Sequence, residues 1–291
     1  MGNTSNQKSA NLFPPQHQDQ HPGMEFLMDP QPIYDDENYK GSGKLKGQAA
    51  IITGGDSGIG RAVALAFAKE GADIVIAYYN ETEDAEKTVK LVEAAGSRCL
   101  ALPGDIADES FCKQIVNQTM KSFGKISVLV NNAAVQYVQN GIESISPEQM
   151  VRTFQVNVFG MFYLTQAALV HMKKNSSIIN TTSVSAYEGN PQLIDYSASK
   201  GAIVSFTRSM AKSLATKGIR VNGIAPGKVW TPLIPSSFPA GQVAQWGSTT
   251  SMKRAGQPVE FGPAYVFLAS SDSSYMTGQI LHLNGGLFVT S

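Results

Sequence analysis

The stretch Ala49-Ala50-Ile51-Ile52-Thr53-Gly54-Gly55-Asp56-Ser57-Gly58-Ile59-Gly60 opens the regular part of the chain and decides its fold. Its first four residues form a short, entirely apolar run, which is typical of a parallel strand buried on both faces. An amphipathic pattern follows from Arg61 to Glu70 and stops at Gly71, which indicates a helix. The stretch therefore predicts a strand joined to a helix by a glycine-rich turn.

The glycine spacing of this turn suits a bound phosphate group. Gly54 allows a tight turn, Gly58 lets the backbone approach a pyrophosphate, and Gly60 lets the helix pack closely on the strand. The helix N-terminus adds unpaired N–H groups and a partial positive charge. Glycine-rich turns are common, but a position between a buried strand and an amphipathic helix favours a dinucleotide site over a plain structural turn.

The alternation of strand and helix patterns continues to the end of the chain. Further strands are predicted at 74–77, 99–102, 128–130, 177–180, 220–224 and 279–283, with long helices at 148–173 and 196–217. Such alternation gives parallel strands joined by right-handed helical crossovers. We therefore expect one α/β domain over residues 45–291, with a Rossmann-type doubly wound, mainly parallel sheet of about seven strands flanked by helices.

Residues 1–44 differ in composition from the rest of the chain. Five prolines stand among Gln, His and Asn residues without a periodic apolar pattern. A segment of this kind buries too little apolar surface to offset its ordering entropy. We expect this Pro/Gln-rich arm to be partly disordered or packed on a neighbouring subunit, with Phe13, Phe26 and Tyr34 making the contacts. The same side chains could also hold the arm on its own subunit.

Composition excludes several classes of protein. Lys+Arg 23 balance Asp+Glu 23, so nothing indicates a nucleic-acid or polybasic membrane surface. No apolar run approaches the roughly 20 residues of a membrane span, and Met1–Ala10 lacks the apolar core of a signal peptide. Asn6 stands where myristoylation requires Ser or Thr. Cys99 and Cys112 have no metal-ligand spacing, so we expect a cytoplasmic protein without a bound metal.

Several polar residues whose side chains could take part in catalysis are predicted at the carboxyl edge of the sheet. Tyr196 and Lys200 are four residues apart on one helix face, and a fixed ammonium favours the phenolate of a tyrosine whose usual pKa is about 10. A Tyr-x-x-x-Lys pair occurs by chance in many helices. However, Ser183 and the run Asn131-Asn132-Ala133-Ala134 each follow a strand, at the edge where open α/β folds bind ligands. Asn157, among apolar residues, needs a buried partner.

These separated motifs resemble the short-chain dehydrogenase/reductase family, from about Lys44 to the end of the chain. Thr-Gly-x-x-x-Gly-x-Gly at 53–60, Asn-Asn-Ala-Ala at 131–134, Ser183, Tyr196, Lys200 and Pro226-Gly227 stand in the order and spacing of the family, which more often ends the second motif with Gly. The glycine spacing and the Tyr–Lys spacing resemble the compact, single-domain type. The arm resembles a bacterial subgroup of aldehyde- and sugar-dehydrogenase-like members.

The resemblance implies an NAD(P)-dependent oxidoreductase that moves a hydride between nicotinamide and a small aldehyde, ketone or sugar, or the matching alcohol. Tyr196 would exchange a proton with the substrate oxygen, to which Ser183 would hydrogen-bond. Lys200 would lower the pKa of Tyr196 and bind the nicotinamide ribose. Asn157 would hold a water that links Lys200 to solvent. A non-catalytic dinucleotide-binding regulator and a 3-oxoacyl-thioester reductase remain alternatives.

The resemblance also implies which residues bind the cofactor. They are Gly54, Asp56, Ser57, Gly58, Ile59, Gly60, Tyr78, Tyr79, Asn80, Asp105, Ile106, Asn132, Ala133, Ala134, Tyr196, Lys200, Pro226, Gly227, Val229 and Thr231. The stretch from Ala77 to Glu81 has Tyr at the position where an acidic residue usually binds a ribose 2′-hydroxyl, and it contains no cation for a 2′-phosphate. We expect a mild preference for NAD over NADP, because a 2′-phosphate would lack a counter-charge.

Two further regions carry predictions about the substrate and the assembly. Residues 228–252 form a long irregular segment, which predicts a substrate lid with Trp230 and Trp246 as buried anchors. Polar side chains expected at the pocket mouth are Tyr137, Gln139, Tyr187, Glu188 and Asn190. The two long helices have more apolar surface than one sheet face needs, which predicts isologous contacts in a homodimer or a homotetramer with 222 symmetry.

Overall fold

The computed structural model describes residues 12–290, so the interpretation of the first ten residues lies outside the described range. Within that range seven parallel strands form one sheet in the order β3-β2-β1-β4-β5-β6-β7. The strands are β1 (Ala49–Thr53), β2 (Asp73–Tyr78), β3 (Cys99–Pro103), β4 (Ile126–Asn131), β5 (Met172–Thr181), β6 (Arg220–Pro226) and β7 (Ile280–Leu283). The strand order reverses between β1 and β4, which is where doubly wound sheets open a crevice. The predicted fold class is confirmed.

Helices cover both faces of the sheet. They are α1 (Gly58–Lys69), α2 (Thr82–Ala94), α3 (Glu109–Phe123), α4 (Pro147–Phe154), α5 (Gly160–Leu169), α6 (Ser185–Glu188), α7 (Ile194–Leu214), α8 (Ala240–Ala244) and α9 (Gly262–Ala269). Of the described helices, none has the length and apolar character required to span a membrane.

The core forms two layers because alternate residues of each buried strand point to opposite faces. On β1, Ile52 packs with Phe67 of α1 and Tyr265 of α9. Its neighbour Ile51 packs with Ile115 of α3 on the other face. All five residues of β1 are buried, which matches the apolar run that predicted it.

The predicted helix over 148–173 differs from the structure. It is divided into α4, a π-helical turn (Gln155–Phe159) and α5, and β5 begins at Met172, before the predicted start at residue 177. The first part of β5 carries exposed Lys173, Lys174 and Asn175, so its polar composition hides the strand. The π turn directs Asn157 inward, where its side-chain oxygen accepts from the N–H of Val135 at 2.8 Å.

The described part of the arm, residues 12–44, packs on its own chain, which is one of the arrangements that its composition leaves open. Contact with a neighbouring subunit stays a prediction. Glu25, in a 3-10 turn (Glu25–Leu27), is fully buried and pairs with the guanidinium of Arg61 in α1. Asp84 of α2 accepts from the N–H of Glu25 at 2.6 Å and pairs with Arg61 at 3.1 Å. A buried cation therefore joins the arm to two helices, and composition alone cannot reveal such a pairing.

We predict that Arg61→Ala lowers the free energy of unfolding by about 3–5 kcal/mol, because it leaves two buried carboxylates without their cation. The matched control is Arg98→Ala, which removes an ion pair to Asp73 from a guanidinium that is 63% exposed. That change should cost less than about 1 kcal/mol. Urea unfolding of the two variants measures both values, and equal losses would contradict a special role for the buried pair.

Candidate active site

A cleft of about 480 Å³ opens at the carboxyl ends of the strands. The residues that line it follow β1 through β6, as expected for a doubly wound sheet. Of the predicted catalytic residues, Ser183, Tyr196 and Lys200 line the cleft, and Asn157 does not. Of the predicted cofactor residues, all line it except Gly60 and Asn80.

The glycine-rich turn is held in place by the segment after β4. Gly54 adopts a left-handed backbone with φ of 61°, which favours glycine. A Cβ on Gly60 would overlap the carbonyl oxygen of Gly54, so this residue serves the close packing of turn and helix. The side-chain amide of Asn132 donates to the carbonyls of Thr53 at 3.1 Å and Gly54 at 3.2 Å. The first motif is thereby fixed to the second.

Two buried carboxyl groups lie beside the turn. Asp56 and Glu81 both line the cleft, and they are 3% and 4% exposed. Glu81 accepts from the N–H groups of Tyr79 at 3.2 Å and Asn80 at 2.9 Å, so it orders the end of β2 while Asn80 points into solvent. Burial, reinforced by Glu81, raises the pKa of Asp56 to about 8. Burial also raises the pKa of Glu81.

Two groups in this part of the cleft were missed by the sequence analysis. Glu81 stands three residues after Tyr78, outside the position at which an acidic residue was sought. Arg152 of α4 lines the cleft with its guanidinium 5.9 Å from the ring centre of Tyr79. It pairs with Asp105 at 2.7 Å. Nothing in the sequence near β2 indicates this cation, because α4 lies far along the chain.

Tyr196 and Lys200 occupy the first turns of α7 and are both buried. The Nζ of Lys200 is 5.4 Å from the ring centre of Tyr196 and donates to the carbonyl of Thr181 at 3.0 Å. Burial raises the pKa of Tyr196 to about 12, although a hydrogen bond with Ser183 opposes the rise. Burial lowers the pKa of Lys200 to about 7.

Burial dominates the pKa of both groups, and the lowering of the Tyr196 pKa by Lys200 stays a prediction. Both side chains have lost their water, and desolvation disfavours the charged form of each group. Ser183 and Tyr196 nevertheless place two interacting hydroxyl groups in the same cleft. Two such hydroxyls can hold one carbonyl oxygen of a substrate and stabilise the negative charge that develops on it.

Asn157 supports this site from beneath. Its amide nitrogen donates to the carbonyl of Val135 at 2.9 Å and to the hydroxyl of Ser199 at 3.0 Å. Ser199 in turn donates to the carbonyl of Tyr196 at 2.7 Å. This chain of bonds connects the segment after β4 with the first turn of α7. The binding of a water by Asn157 stays a prediction.

The predicted mouth residues divide into two groups. Tyr137, Glu188 and Asn190 line the cleft, whereas Gln139 and Tyr187 do not. Gln139 donates to the side-chain oxygen of Gln149 at 2.6 Å, and the ring of Tyr187 packs 4.5 Å from that of His282. The sequence placed these two side chains at the mouth of the pocket, but in the structure they pack against residues of other elements and do not line the cleft.

The segment 228–252 lies over the cleft with its two tryptophans in different roles. Trp230 is fully buried, in agreement with an anchoring role. Trp246 lines the cleft, and its indole N–H donates to the carbonyl of Val229 at 3.1 Å. No group of His, Cys, Asp and Glu side chains in residues 12–290 is arranged to hold a metal ion.

Comparison with known proteins places this geometry in a family. A family model described as Enoyl-(Acyl carrier protein) reductase matches residues 54–288. The uncharacterized oxidoreductase YhdF of Bacillus subtilis (strain 168) is 61% identical and covers 95% of this chain and 96% of its own. Glucose and ribitol dehydrogenase of Daucus carota is 51% identical over 97% of this chain and 99% of its own length. NADPH-dependent aldehyde reductase 1, chloroplastic, of Arabidopsis thaliana is 50% identical over 95% of this chain and 98% of its own length.

Solved structures agree with the relatives. A short chain dehydrogenase from Burkholderia cenocepacia J2315 in complex with NADP matches with a TM-score of 0.79 at 28% identity, covering 84% of this chain and 98% of its own. The 3-ketoacyl-(acyl-carrier-protein) reductase from Brucella melitensis complexed with NADH matches with a TM-score of 0.77 at 33% identity, covering 83% and 98%. Because the family model spans most of the chain and the relatives nearly all of it, this chain belongs to the short-chain dehydrogenase/reductase family and is an NAD(P)-dependent oxidoreductase acting on CH–OH groups.

Proposed function

We propose that this chain reduces the carbonyl group of a small polar aldehyde, ketone or sugar, or oxidises the matching alcohol, with Tyr196 as the acid–base residue. One observation carries the proposal. The phenol of Tyr196 is 8% exposed and hydrogen-bonded with Ser183, in the same cleft as the glycine-rich turn. A non-catalytic regulator would have no need of a buried phenol beside a second hydroxyl.

The chemistry follows from the positions of these groups. The glycine-rich turn and the N-terminus of α1 would hold the phosphates of the nicotinamide cofactor, which would supply or accept the hydride when bound. Ser183 donates to the substrate oxygen, and Tyr196 gives its proton to that oxygen during reduction or removes it during oxidation. Lys200, fixed on the carbonyl of Thr181, faces the phenol ring and supplies positive charge when protonated. The low exposure of Tyr196 keeps bulk water from the reacting atoms.

The walls of the cleft support a small, hydroxyl-bearing substrate. Tyr137, Glu188 and Asn190 supply hydrogen-bonding groups beside the apolar side chains of Leu233 and Trp246. Two relatives, glucose and ribitol dehydrogenase and an aldehyde reductase, bear names of the same substrate classes. A 3-oxoacyl-thioester reductase is the second candidate, favoured by the likeness to the Brucella melitensis ketoacyl reductase. Acetoacetyl-CoA in a panel of aldehydes, sugars and secondary alcohols separates the two.

We predict that Tyr196→Phe lowers kcat at least 1,000-fold, on the order of a lost proton-transfer group, and leaves the dissociation constant of the dinucleotide within about threefold. The phenol acts on the transferred proton, whereas backbone and ribose contacts hold the cofactor. Absorbance at 340 nm measures turnover, and calorimetry measures binding. Tyr163→Phe in α5 is the matched control and should behave like wild type. Activity of Tyr196→Phe within tenfold of wild type would remove Tyr196 from this role.

We also propose a preference for NAD over NADP. The carboxyl groups of Asp56 and Glu81 line the cleft near the end of β2, where each would repel a 2′-phosphate in its charged form. Arg152 lies near Tyr79, but its guanidinium is already paired with Asp105. One relative is named as NADPH-dependent, so similar proteins can also use the phosphorylated cofactor. In this chain we expect the balance between these carboxyl groups and Arg152 to determine whether NAD or NADP binds more tightly.

This arrangement predicts that cofactor choice depends on pH. The pKa of Asp56 is raised to about 8, so its carboxyl is mainly neutral at pH 7 and mainly charged at pH 9. The affinity for NADP relative to NAD should therefore fall several-fold between pH 7 and pH 9. Calorimetric titrations of both dinucleotides at these pH values measure the ratio. Asp56→Asn should flatten the profile, and a ratio that rises with pH in wild type would contradict the assignment.

The proposed assembly is a homodimer or a 222 homotetramer located in the cytoplasm. Phe159 and Phe162 are 43% and 49% exposed on the helices that the sequence analysis assigned to a two-fold contact. Two free thiols, Cys99 and Cys112, suit a reducing compartment.

We predict a dimer or tetramer by light scattering at micromolar concentration, and a shift to smaller species for Phe162→Glu, because a buried charge opposes the apolar contact. Ile142→Glu, which changes a 69% exposed residue outside these helices, is the control and should keep the wild-type mass. A monomeric wild-type protein would overturn the assembly.

A further inference from the structure

The arm is fastened along the lid by backbone bonds. The N–H groups of Leu12 and Phe13 donate to the carbonyl of Ala244 at 2.9 and 3.2 Å. The N–H of Gln18 donates to the carbonyl of Pro235 at 2.9 Å. These bonds join residues more than 200 positions apart in sequence, at points spread over the lid. The arm therefore holds the lid at several places along its length.

Trp230 is the side chain through which arm and lid share a core. Its ring stacks on that of Phe13, with centres 3.8 Å apart and planes 3° from parallel. Its indole N–H donates to the carbonyl of Pro30 at 2.8 Å. Met28 of the arm and Tyr196 belong to the same buried apolar cluster. The arm thus belongs to the same buried apolar cluster as Tyr196.

Residues 21–23 of the arm cross the cleft between the lid and the segment after β4. The ring of His21 lies 5.1 Å from that of Tyr137. Gly23 is packed so closely on the lid that a Cβ would overlap the carbonyl oxygen of Pro232. All of these residues line the cleft. Just beyond them, the N–H of Gly58 in the glycine-rich turn donates to the carboxylate of Glu25 at 2.7 Å.

His21 brings hydrogen-bonding capacity to the mouth of the cleft. Its pKa is lowered, chiefly by partial burial, so the ring is neutral at neutral pH and offers one donor and one acceptor. Glu188 and Asn190 line the same cleft. A neutral imidazole, a carboxylate and an amide suit the alternating donors and acceptors of vicinal hydroxyl groups.

We propose that the arm is part of the active site: residues 12–30 hold the substrate lid over the cleft, and His21 is a specificity-determining residue that hydrogen-bonds the hydroxyl groups of a polyhydroxylated carbonyl substrate. The assignment of His21 rests on the proposed function, whereas the holding of the lid does not.

Hydrogen exchange of the full chain tests the first half without any substrate. Phe13→Ala removes the ring that stacks on Trp230 and should speed exchange of the lid amides of Trp230, Ser236 and Phe238 at least tenfold, with sheet amides unchanged. Tyr39→Phe, which removes a hydrogen bond to Glu70 at the far end of the arm, is the control. If the lid amides of Phe13→Ala exchange at the wild-type rate, the arm does not hold the lid.

Two three-carbon aldehydes test the second half. His21→Phe should lower kcat/KM for D-glyceraldehyde at least tenfold and for propanal less than twofold. The variant loses hydrogen bonds to the substrate hydroxyl groups, which D-glyceraldehyde has and propanal lacks. The dissociation constant of NADH should not change. His171→Phe at the end of α5 is the matched control.

Equal losses on both aldehydes, or a wild-type enzyme that accepts propanal and rejects glyceraldehyde, would overturn the role of His21. A wild-type enzyme inert toward every carbonyl in the panel would contradict the proposed function and His21 with it. The exchange experiment would still decide whether the arm holds the lid.

Discussion

A positive charge without access to water must be neutralised within the protein, and Arg61 is in that position. Its side chain is fully buried in α1, and its Nε donates to the carbonyl of Asp56 at 2.9 Å. Its other donors reach Glu25 of the arm and Asp84 of α2. The glycine-rich turn, the second helix and the arm are therefore positioned around one guanidinium. The shape of the cofactor end of the cleft depends on this cluster, although Arg61 itself does not line it.

At the other end of the cleft, the active-site groups illustrate how burial competes with charge pairing. Tyr196 and Lys200 have been placed close together, yet each has a pKa that desolvation moves toward the neutral form. A neutral phenol is the form that donates a proton during reduction. The positive charge of oxidised nicotinamide would favour the phenolate that oxidation requires. In the proposed mechanism the same pair of residues would therefore serve either direction, according to the charge that is brought next to it.

The sequence predicted the features that are encoded locally. The glycine spacing, the apolar run of β1 and the Tyr-x-x-x-Lys spacing each depend on residues within one turn or one strand, and the structure brings Ser183, Tyr196 and Lys200 into one cleft. What it could not predict depends on contacts between distant segments. In the sequence, Glu25 is one of several acidic residues in a polar arm, and only the fold shows that it pairs with the buried Arg61. Arg152 reaches the cleft only because the fold brings α4 beside Asp105, which follows β3. The polar start of β5 hides a strand that pairing with β4 stabilises.

The arm also has a consequence for the order in which the protein can be completed during synthesis. Its inner half pairs with Arg61 and Asp84, which leave the ribosome soon after it. Its outer half binds Trp230, Pro235 and Ala244, which are made after most of the sheet. Contacts of such long sequence separation form late, since a large loop must close first. The outer half of the arm is thus made long before its partners, and its bonds to Pro235 and Ala244 can form only after those residues have been translated.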